Sequence, residues 1–171
     1  KLAEVLASGE DLDIHPETPV CEKEGDGVTV AGPRVLEQKQ SGLYTVAWHP
    51  LGGQPAVETL CALSDAIADM KDVEMRLAPD ETAYLINLTG VEAQKVLSVT
   101  ADGARSLFET SVSCIGGKTC QVGTRDSQGL LAACVAAVRE AGVPDGALPQ
   151  MHISGCPSSC GTHQTGAMGF R

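Results

Sequence analysis

The sequence predicts an α+β fold in which a β-α-β-β-α unit precedes a segment with paired cysteines. Two observations predict it: strand-like and helix-like patterns alternate over residues 43–100, and a glycine-rich stretch with closely spaced cysteines follows. Hydrophobic residues make up 43% of the chain, so a packed core is available. Aromatic residues make up only 3%, and that core must therefore consist mainly of Val, Leu, Ile and Ala.

The first unit begins with β-forming residues at 43–49, which Pro50 and a Gly-Gly pair end. A helix follows with Pro55 near its first turn, and residues 73–77 and 82–88 read as strands on either side of a turn. Thr89 and Glu92 have the spacing of a capping box, which predicts a helix to about residue 100. On the first helix we expect an apolar stripe of Val57, Leu60, Cys61, Ile67 and Ala68.

This element order is that of a ferredoxin-like half-domain without its last strand, for which residues 106–113 are the candidate. Further along, Asp126 or Ser127 caps a predicted helix to about residue 141, and residues 151–154 form a short strand before a loop over 155–169. The apolar stripe predicted for that helix is Leu130, Leu131, Cys134, Val135 and Val138. We therefore divide the chain into a linker or tail of a preceding domain (1–40, with a helix end at 2–6), the half-domain (41–108) and an incomplete α/β domain (109–171).

The net charge and the cysteine content narrow the range of functions that this chain can have. A net charge of −10 disfavours nucleic acid or an anionic membrane surface as a partner, and no run is long and apolar enough to cross a membrane. Seven cysteines, of which four form two tight pairs, indicate a reduced, cytoplasmic chain with one metal or cluster site.

The two pairs are the strongest functional signal. Cys114 and Cys120 have five residues between them, and Cys156 and Cys160 have three. Four thiolates on glycine-containing loops match a [4Fe–4S] cluster. Structural zinc also accepts four cysteines, but its pairs usually have two to four intervening residues. The spacing favours the cluster, and zinc, redox pairing and chance remain alternatives at this point.

The remaining candidates carry weaker signals. Cys61 and Cys134 lie on apolar stripes and are expected in the core, and Cys21 is expected to have no role. His152 and His163 flank the second pair, where they either tune a cofactor or form local hydrogen bonds, the second being the commoner role. The basic groups nearest the pairs are Lys118 and Arg125, for which we weigh contact with an anionic cofactor or substrate against simple solvation.

At the cysteine pairs the sequence resembles the family of sirohaem-containing nitrite and sulfite reductases. The motifs that carry the resemblance are a Cys-x5-Cys pair, an intervening helix and strand, and Gly155-Cys156-Pro157-Ser158-Ser159-Cys160-Gly161. The preceding half-domain also fits, so the resemblance covers about residues 34–171. It implies that the four cysteines hold a [4Fe–4S] cluster and that Cys160 also bridges to the sirohaem iron as its axial ligand.

The resemblance further implies an enzyme that takes single electrons from ferredoxin or another donor and reduces nitrite to ammonia or sulfite to sulfide, a six-electron reaction. The alternatives are a non-catalytic iron–sulfur electron carrier and a zinc-stabilised structural domain. We expect no catalytic residue in this chain, because the basic side chains that hold substrate and sirohaem in the family come mainly from its other half. The isolated chain is therefore expected to be inactive, whether or not it retains the cluster and sirohaem, and to pair as a homodimer that imitates the missing half.

Overall fold

The computed structural model describes residues 22–171 together with positions 4, 7 and 8. Cys21 lies outside the described residues, as does the expected helix end at 2–6 apart from Glu4. None of the helices in the described part of the chain is long and apolar enough to cross a membrane.

The first unit is a four-stranded antiparallel sheet with two helices. Its strands are β1 (Val35–Glu37), β2 (Tyr44–Trp48), β3 (Glu74–Leu77) and β4 (Ala83–Leu88), and their order across the sheet is β1-β2-β4-β3. Helix α1 (Val57–Ile67) connects β2 to β3, and α2 (Gly90–Val99) follows β4. Because β4 lies between β2 and β3, this is the split β-α-β arrangement of a ferredoxin-like unit, and the predicted fold class is confirmed.

The core of this unit lies between the sheet and the helices. Its most enclosed side chains come from β2, β4 and α2, and they are Val46, Trp48, Leu85, Leu88, Ala93 and Val96. The capping box at the start of α2 is present: Thr89 accepts a hydrogen bond from the Glu92 amide, and the Glu92 carboxylate accepts one from the Thr89 amide. These bonds satisfy two backbone donors that would otherwise be unpaired at the helix start.

The apolar stripe predicted for α1 is confirmed at Ile67 and wrong at its other four residues. Leu63 and Ala66 are the buried residues of the helix, and Ile67 and Met70 pack partly against the same core, which gives the i, i+3, i+4, i+7 spacing of a core-facing stripe. Val57, Leu60, Cys61 and Ala68 are exposed instead. Cys61 is therefore a surface thiol and not the core residue that the sequence predicted.

The expected last strand of the half-domain is also wrong. Residues 106–113 do not join the first sheet; they form a 3₁₀ turn (Phe108–Thr110) and β5 (Val112–Ser113), which belongs to a second sheet. The edge beside β2 is occupied by β1, which pairs with it antiparallel from Val35–Val46 to Glu37–Tyr44. Part of the segment predicted to be a linker thus packs on the half-domain, and Val30 is buried in its core.

The second sheet is parallel and has three strands in the order β5-β6-β7, with β6 at Met151–Ile153 and β7 at Met168–Phe170. Strand β7 lies at the end of the region predicted to be a loop. Helix α3 (Ser127–Glu140) follows the prediction closely and buries Leu131 and Val135 against Phe108, Met151 and Ile153. Cys134 and Val138 pack partly against this core, as predicted, but Leu130 is exposed.

Candidate functional site

All four predicted ligand cysteines line one cavity of about 260 Å³, which we call the cysteine cavity. Cys156 is buried, Cys114 and Cys120 are half-buried, and Cys160 is exposed; all four thiols are free. The remaining wall consists of Glu81, Ser113, Ile115, Gly116, Val122, Gly123, Ser154, Gly155 and Ser158. The structure therefore brings together two pairs that are far apart in the sequence, and their role as ligands remains a prediction.

The parallel sheet explains why the pairs meet. Val112 lies opposite His152 and Ser113 opposite Ile153, so β5 and β6 end side by side. Each strand is followed directly by a loop that carries one pair of cysteines, and the Cys114 amide donates to the Ile153 carbonyl at 3.0 Å. Since parallel strands have their carboxyl ends at the same edge of a sheet, the two loops start next to each other.

The backbone between the first pair and α3 holds the two loops together. The amide of Arg125 donates to the Gly155 carbonyl at 3.1 Å, and the Thr124 amide and hydroxyl donate to the same oxygen, each at 3.0 Å. The Arg125 carbonyl accepts from the Gly117 amide at 2.7 Å. Residues 124–125 thus link the loop of the first pair to the loop of the second.

Two glycines are required by this close packing. Gly116 has φ of +72°, which favours glycine, and a side chain there would also meet Ser127 Oγ at 2.7 Å. A Cβ on Gly161 would lie 1.9 Å from the Ile153 carbonyl oxygen. The glycines in these loops therefore allow the backbone segments around the thiols to approach each other closely.

Cys114 has the most developed hydrogen-bonding environment of the four thiols. Its sulfur accepts from the Gly155 amide at 3.1 Å and lies 3.2 Å from Ser127 Oγ. Burial acts to raise the pKa of this thiol, but hydrogen bonds from Ser127 and from the Gly155 and Gly116 amides outweigh it, so the pKa is lowered. The surroundings of Cys114 favour the thiolate, the form that binds metals.

The start of α3 lies beside the cavity. Asp126 is its N-cap and accepts from the Gly129 amide at 2.9 Å, so one of the two predicted caps is confirmed. Lys118 forms an ion pair with Asp126 at 2.7 Å, and this hydrogen bond lowers the pKa of the Asp126 carboxyl. Lys118 therefore contacts a protein carboxylate, and Arg125 is exposed; neither residue lines the cavity.

Both histidines that flank the second pair take part in local hydrogen bonds. His152 Nδ1 lies 2.7 Å from Thr162 Oγ1, and His163 Nδ1 lies 2.9 Å from Ser154 Oγ. Neither ring lines the cavity. Both histidines thus form local hydrogen bonds, the commoner of the two roles that we expected for them.

The thiols surround a space and do not meet at a point. Within the described part of the chain, no three His, Cys, Asp or Glu side chains converge closely enough to hold one metal ion. A tetrahedral zinc site needs four ligand atoms around a single ion. The core of a [4Fe–4S] cluster is itself several atoms wide, so its four cysteine ligands need not converge on one point.

No sequence pattern predicted Glu81, the only Asp or Glu among the described residues that lines the cavity. Its Oε2 atom is buried and has no hydrogen-bond partner in the described part of the chain, and its backbone has φ of +66°. Burial raises the pKa of the carboxyl, and the neighbouring Asp80 raises it further. The sequence showed only a Pro-Asp turn at this point, so nothing marked the next residue as facing the cysteines.

Comparison with known proteins supports the fold. No family model matches the sequence, and no curated protein matches it. Among solved structures the chain is similar to the NirA protein of Mycobacterium tuberculosis, with a TM-score of 0.61 and 18% sequence identity. The match covers 82% of this chain but only 27% of that protein, so the chain spans about a quarter of its length. At this identity the likeness shows that the two share a fold.

Proposed function

We propose that this chain carries the [4Fe–4S] site of a sirohaem-dependent reductase that acts on nitrite or sulfite. The observation that supports this most is the meeting of Cys114, Cys120, Cys156 and Cys160 at one cavity. The motif resemblance and the shared fold with part of NirA point in the same direction. Because the chain spans only a quarter of that protein, the activity belongs to a larger parent in this proposal.

Each cysteine has a proposed role, which the family resemblance implies and with which its position agrees. Cys114, Cys120 and Cys156 hold the cluster from inside the cavity, and the hydrogen bonds from Gly155 and Ser127 orient the Cys114 sulfur. Cys160 is exposed, so its sulfur has an open side for the proposed bridge to the sirohaem iron. When bound, the cluster supplies single electrons, and sirohaem supplies the iron on which the anion is reduced.

The substrate is an anion, yet none of the described Lys, Arg or His residues lines the cysteine cavity. Cationic groups that bind nitrite or sulfite must then come from another part of the parent, because an anion held beside thiolates and Glu81 would be repelled. We therefore propose that the isolated chain does not catalyse the reaction. Activity of the purified chain with reduced viologen would contradict this.

The electron donor is proposed to be ferredoxin or another protein that delivers single electrons. A net charge of −10 on this chain would repel an acidic ferredoxin, so its docking surface is expected elsewhere in the parent. We also propose that the isolated chain forms a homodimer, which sedimentation would test; a strictly monomeric profile would contradict it.

The deciding experiment measures iron, acid-labile sulfide and sirohaem in the parent protein and in this chain after anaerobic purification. We expect iron and sulfide in equal amounts in the chain, and their loss in Cys114→Ser, Cys120→Ser and Cys156→Ser but not in the exposed control Cys61→Ser. Zinc without sulfide would instead identify a structural zinc domain. Iron and sulfide without sirohaem in the parent would identify an electron carrier.

A further inference from the structure

Glu81 stands between two cavities. It lines the cysteine cavity and also a second, mainly apolar cavity of about 320 Å³ between the start of α1 and the β3 edge. Leu60, Met75 and Leu77 line this second cavity and are exposed, so it opens to solvent. No other carboxylate lines either cavity in the described structure. Glu81 thus connects the cysteines to the surface along an otherwise apolar route.

Three features distinguish the carboxyl group in this position. Its Oε2 atom is buried and has no hydrogen-bond partner among the described residues. The backbone of Glu81 has φ of +66°, a left-handed conformation that residues with a side chain rarely adopt. Gly53 lies against it, since a Cβ on that glycine would meet Oε2 at 2.7 Å. Strain and an unpaired buried polar atom are features that cluster at functional sites.

We propose that Glu81 takes up a proton from solvent for each electron that enters the cysteine cavity, and so couples proton and electron uptake. This inference rests on the proposed function, because it requires a cluster in the cavity. The electron comes from an external one-electron donor such as reduced viologen. One O–H bond forms on Glu81 as one O–H bond of a hydronium ion in the solvent breaks, and the added negative charge is balanced by the added proton.

The charged and titratable surroundings favour this role. Next to Glu81 in the turn is Asp80, whose negative charge favours the protonated form of its neighbour. The Nδ1 atom of His49 lies 3.1 Å from the Thr82 hydroxyl, and burial lowers the pKa of this histidine. On β3, Arg76 is exposed and paired with Glu74. The other titratable groups that face the cavity are Cys114, Cys120, Cys156 and Cys160.

Proton uptake at Glu81 also supplies protons, which the proposed reaction consumes. Reducing an oxyanion to ammonia or sulfide requires protons as well as electrons, and Glu81 is the only ionisable side chain among the described residues that line the second cavity. Burial raises the pKa of its carboxyl, so Glu81 accepts a proton more readily than an exposed carboxylate does.

The test is the midpoint potential of the cluster-loaded chain as a function of pH, in the wild type, Glu81→Gln and Glu81→Asp. The wild type should lose about 59 mV per pH unit over part of the range, the value for one proton per electron. Glu81→Gln should show no slope there, whereas Glu81→Asp, which keeps a carboxyl, should retain one at a shifted pH. The exposed Glu140→Gln, at the end of α3, controls for lost surface charge and should behave as the wild type.

A second measurement, infrared spectroscopy, detects protonation of the Glu81 carboxylate directly. Reduction of the loaded wild type should produce the infrared band of a protonated carboxylic acid, and Glu81→Gln should lack it. A flat potential in the wild type, or the same slope in Glu81→Gln, would overturn the proposal. If Glu81→Gln does not fold, a flat potential in Glu81→Asp would overturn it as well. Failure of the wild type to bind iron and sulfide at all would refute the proposed function itself, and this inference with it.

Discussion

Gly161 directly follows Cys160 and has no room for a side chain. A Cβ there would lie 1.9 Å from the Ile153 carbonyl oxygen and 3.2 Å from the Cys114 amide nitrogen. Contacts under 3.0 Å essentially never occur, so Gly161→Ala must push the loop and β6 apart by about 1 Å. Overpacking costs about 1–3 kcal/mol, and since the obstructing atom belongs to a strand backbone, we expect about 3 kcal/mol. For a chain of this size this lowers the melting temperature by roughly 6–12 °C.

The matched control is Gly146→Ala. Gly146 has φ of +79° but nothing within 4 Å of its Cβ position, so alanine there costs only conformational energy, about 1 kcal/mol or roughly 2–4 °C. Gly161 is not in the positive-φ region, so its penalty is steric alone. Thermal unfolding compares the two variants, and iron and sulfide after reconstitution should fall only in Gly161→Ala. If both variants melt together and load equally, the cysteine loops are not packed as tightly as described.

Three further predictions concern the framework of the site. Arg139 donates to both carboxylate oxygens of the buried Glu109, at 2.8 and 2.7 Å, so Glu109→Gln should lower the free energy of unfolding by about 2 kcal/mol in denaturant titrations. The hydrogen bond from Arg139 lowers the pKa of the Glu109 carboxyl in the folded state. The ion pair therefore stabilises the fold fully at pH values above 4.5, the ordinary pKa of the carboxyl, and this stabilisation is lost as pH falls through the lowered pKa. A wild type that remained more stable than Glu109→Gln at the lowest pH would contradict this. Thr89→Ala should cost about 1 kcal/mol by removing the helix cap, and Thr89→Ser should largely restore it. Cys61 should react with maleimide in the folded chain without loss of stability, whereas Cys134 reacts more slowly, as mass spectrometry of the labelled peptides would show.

The elements that the sequence predicted well are those with local signals. The α2 capping box involves residues three positions apart, and the α3 stripe contains Leu131 and Val135 on one helix face. The stripe of α1 depends instead on which side of the helix meets the sheet. Apolar residues occur all around α1, so Val57 and Leu60 fit a stripe as well as Leu63 does, and tertiary packing chose between them.

The residues of the candidate site also fall into two groups, those that a local sequence pattern predicted and one that no local pattern could predict. Cys114, Cys120, Cys156 and Cys160 could be singled out because closely spaced cysteines on glycine-containing loops are a local pattern. Glu81 could not, because its position at the cavity follows from how the β3–β4 turn approaches residues more than thirty positions later. Contacts of this kind leave no periodicity or spacing in the sequence.

The observed placement of residues 106–113 in the second sheet, and not in the first as predicted, explains how the site is built. Had this segment completed the first sheet, Val112 and Ser113 could not pair with β6, and Cys114 would not follow a strand beside the Cys156 loop. The first sheet does not need the segment, because β1 already covers the edge of β2. Segment 106–113 is thereby free to start the parallel sheet, whose strand ends place both cysteine pairs at one cavity.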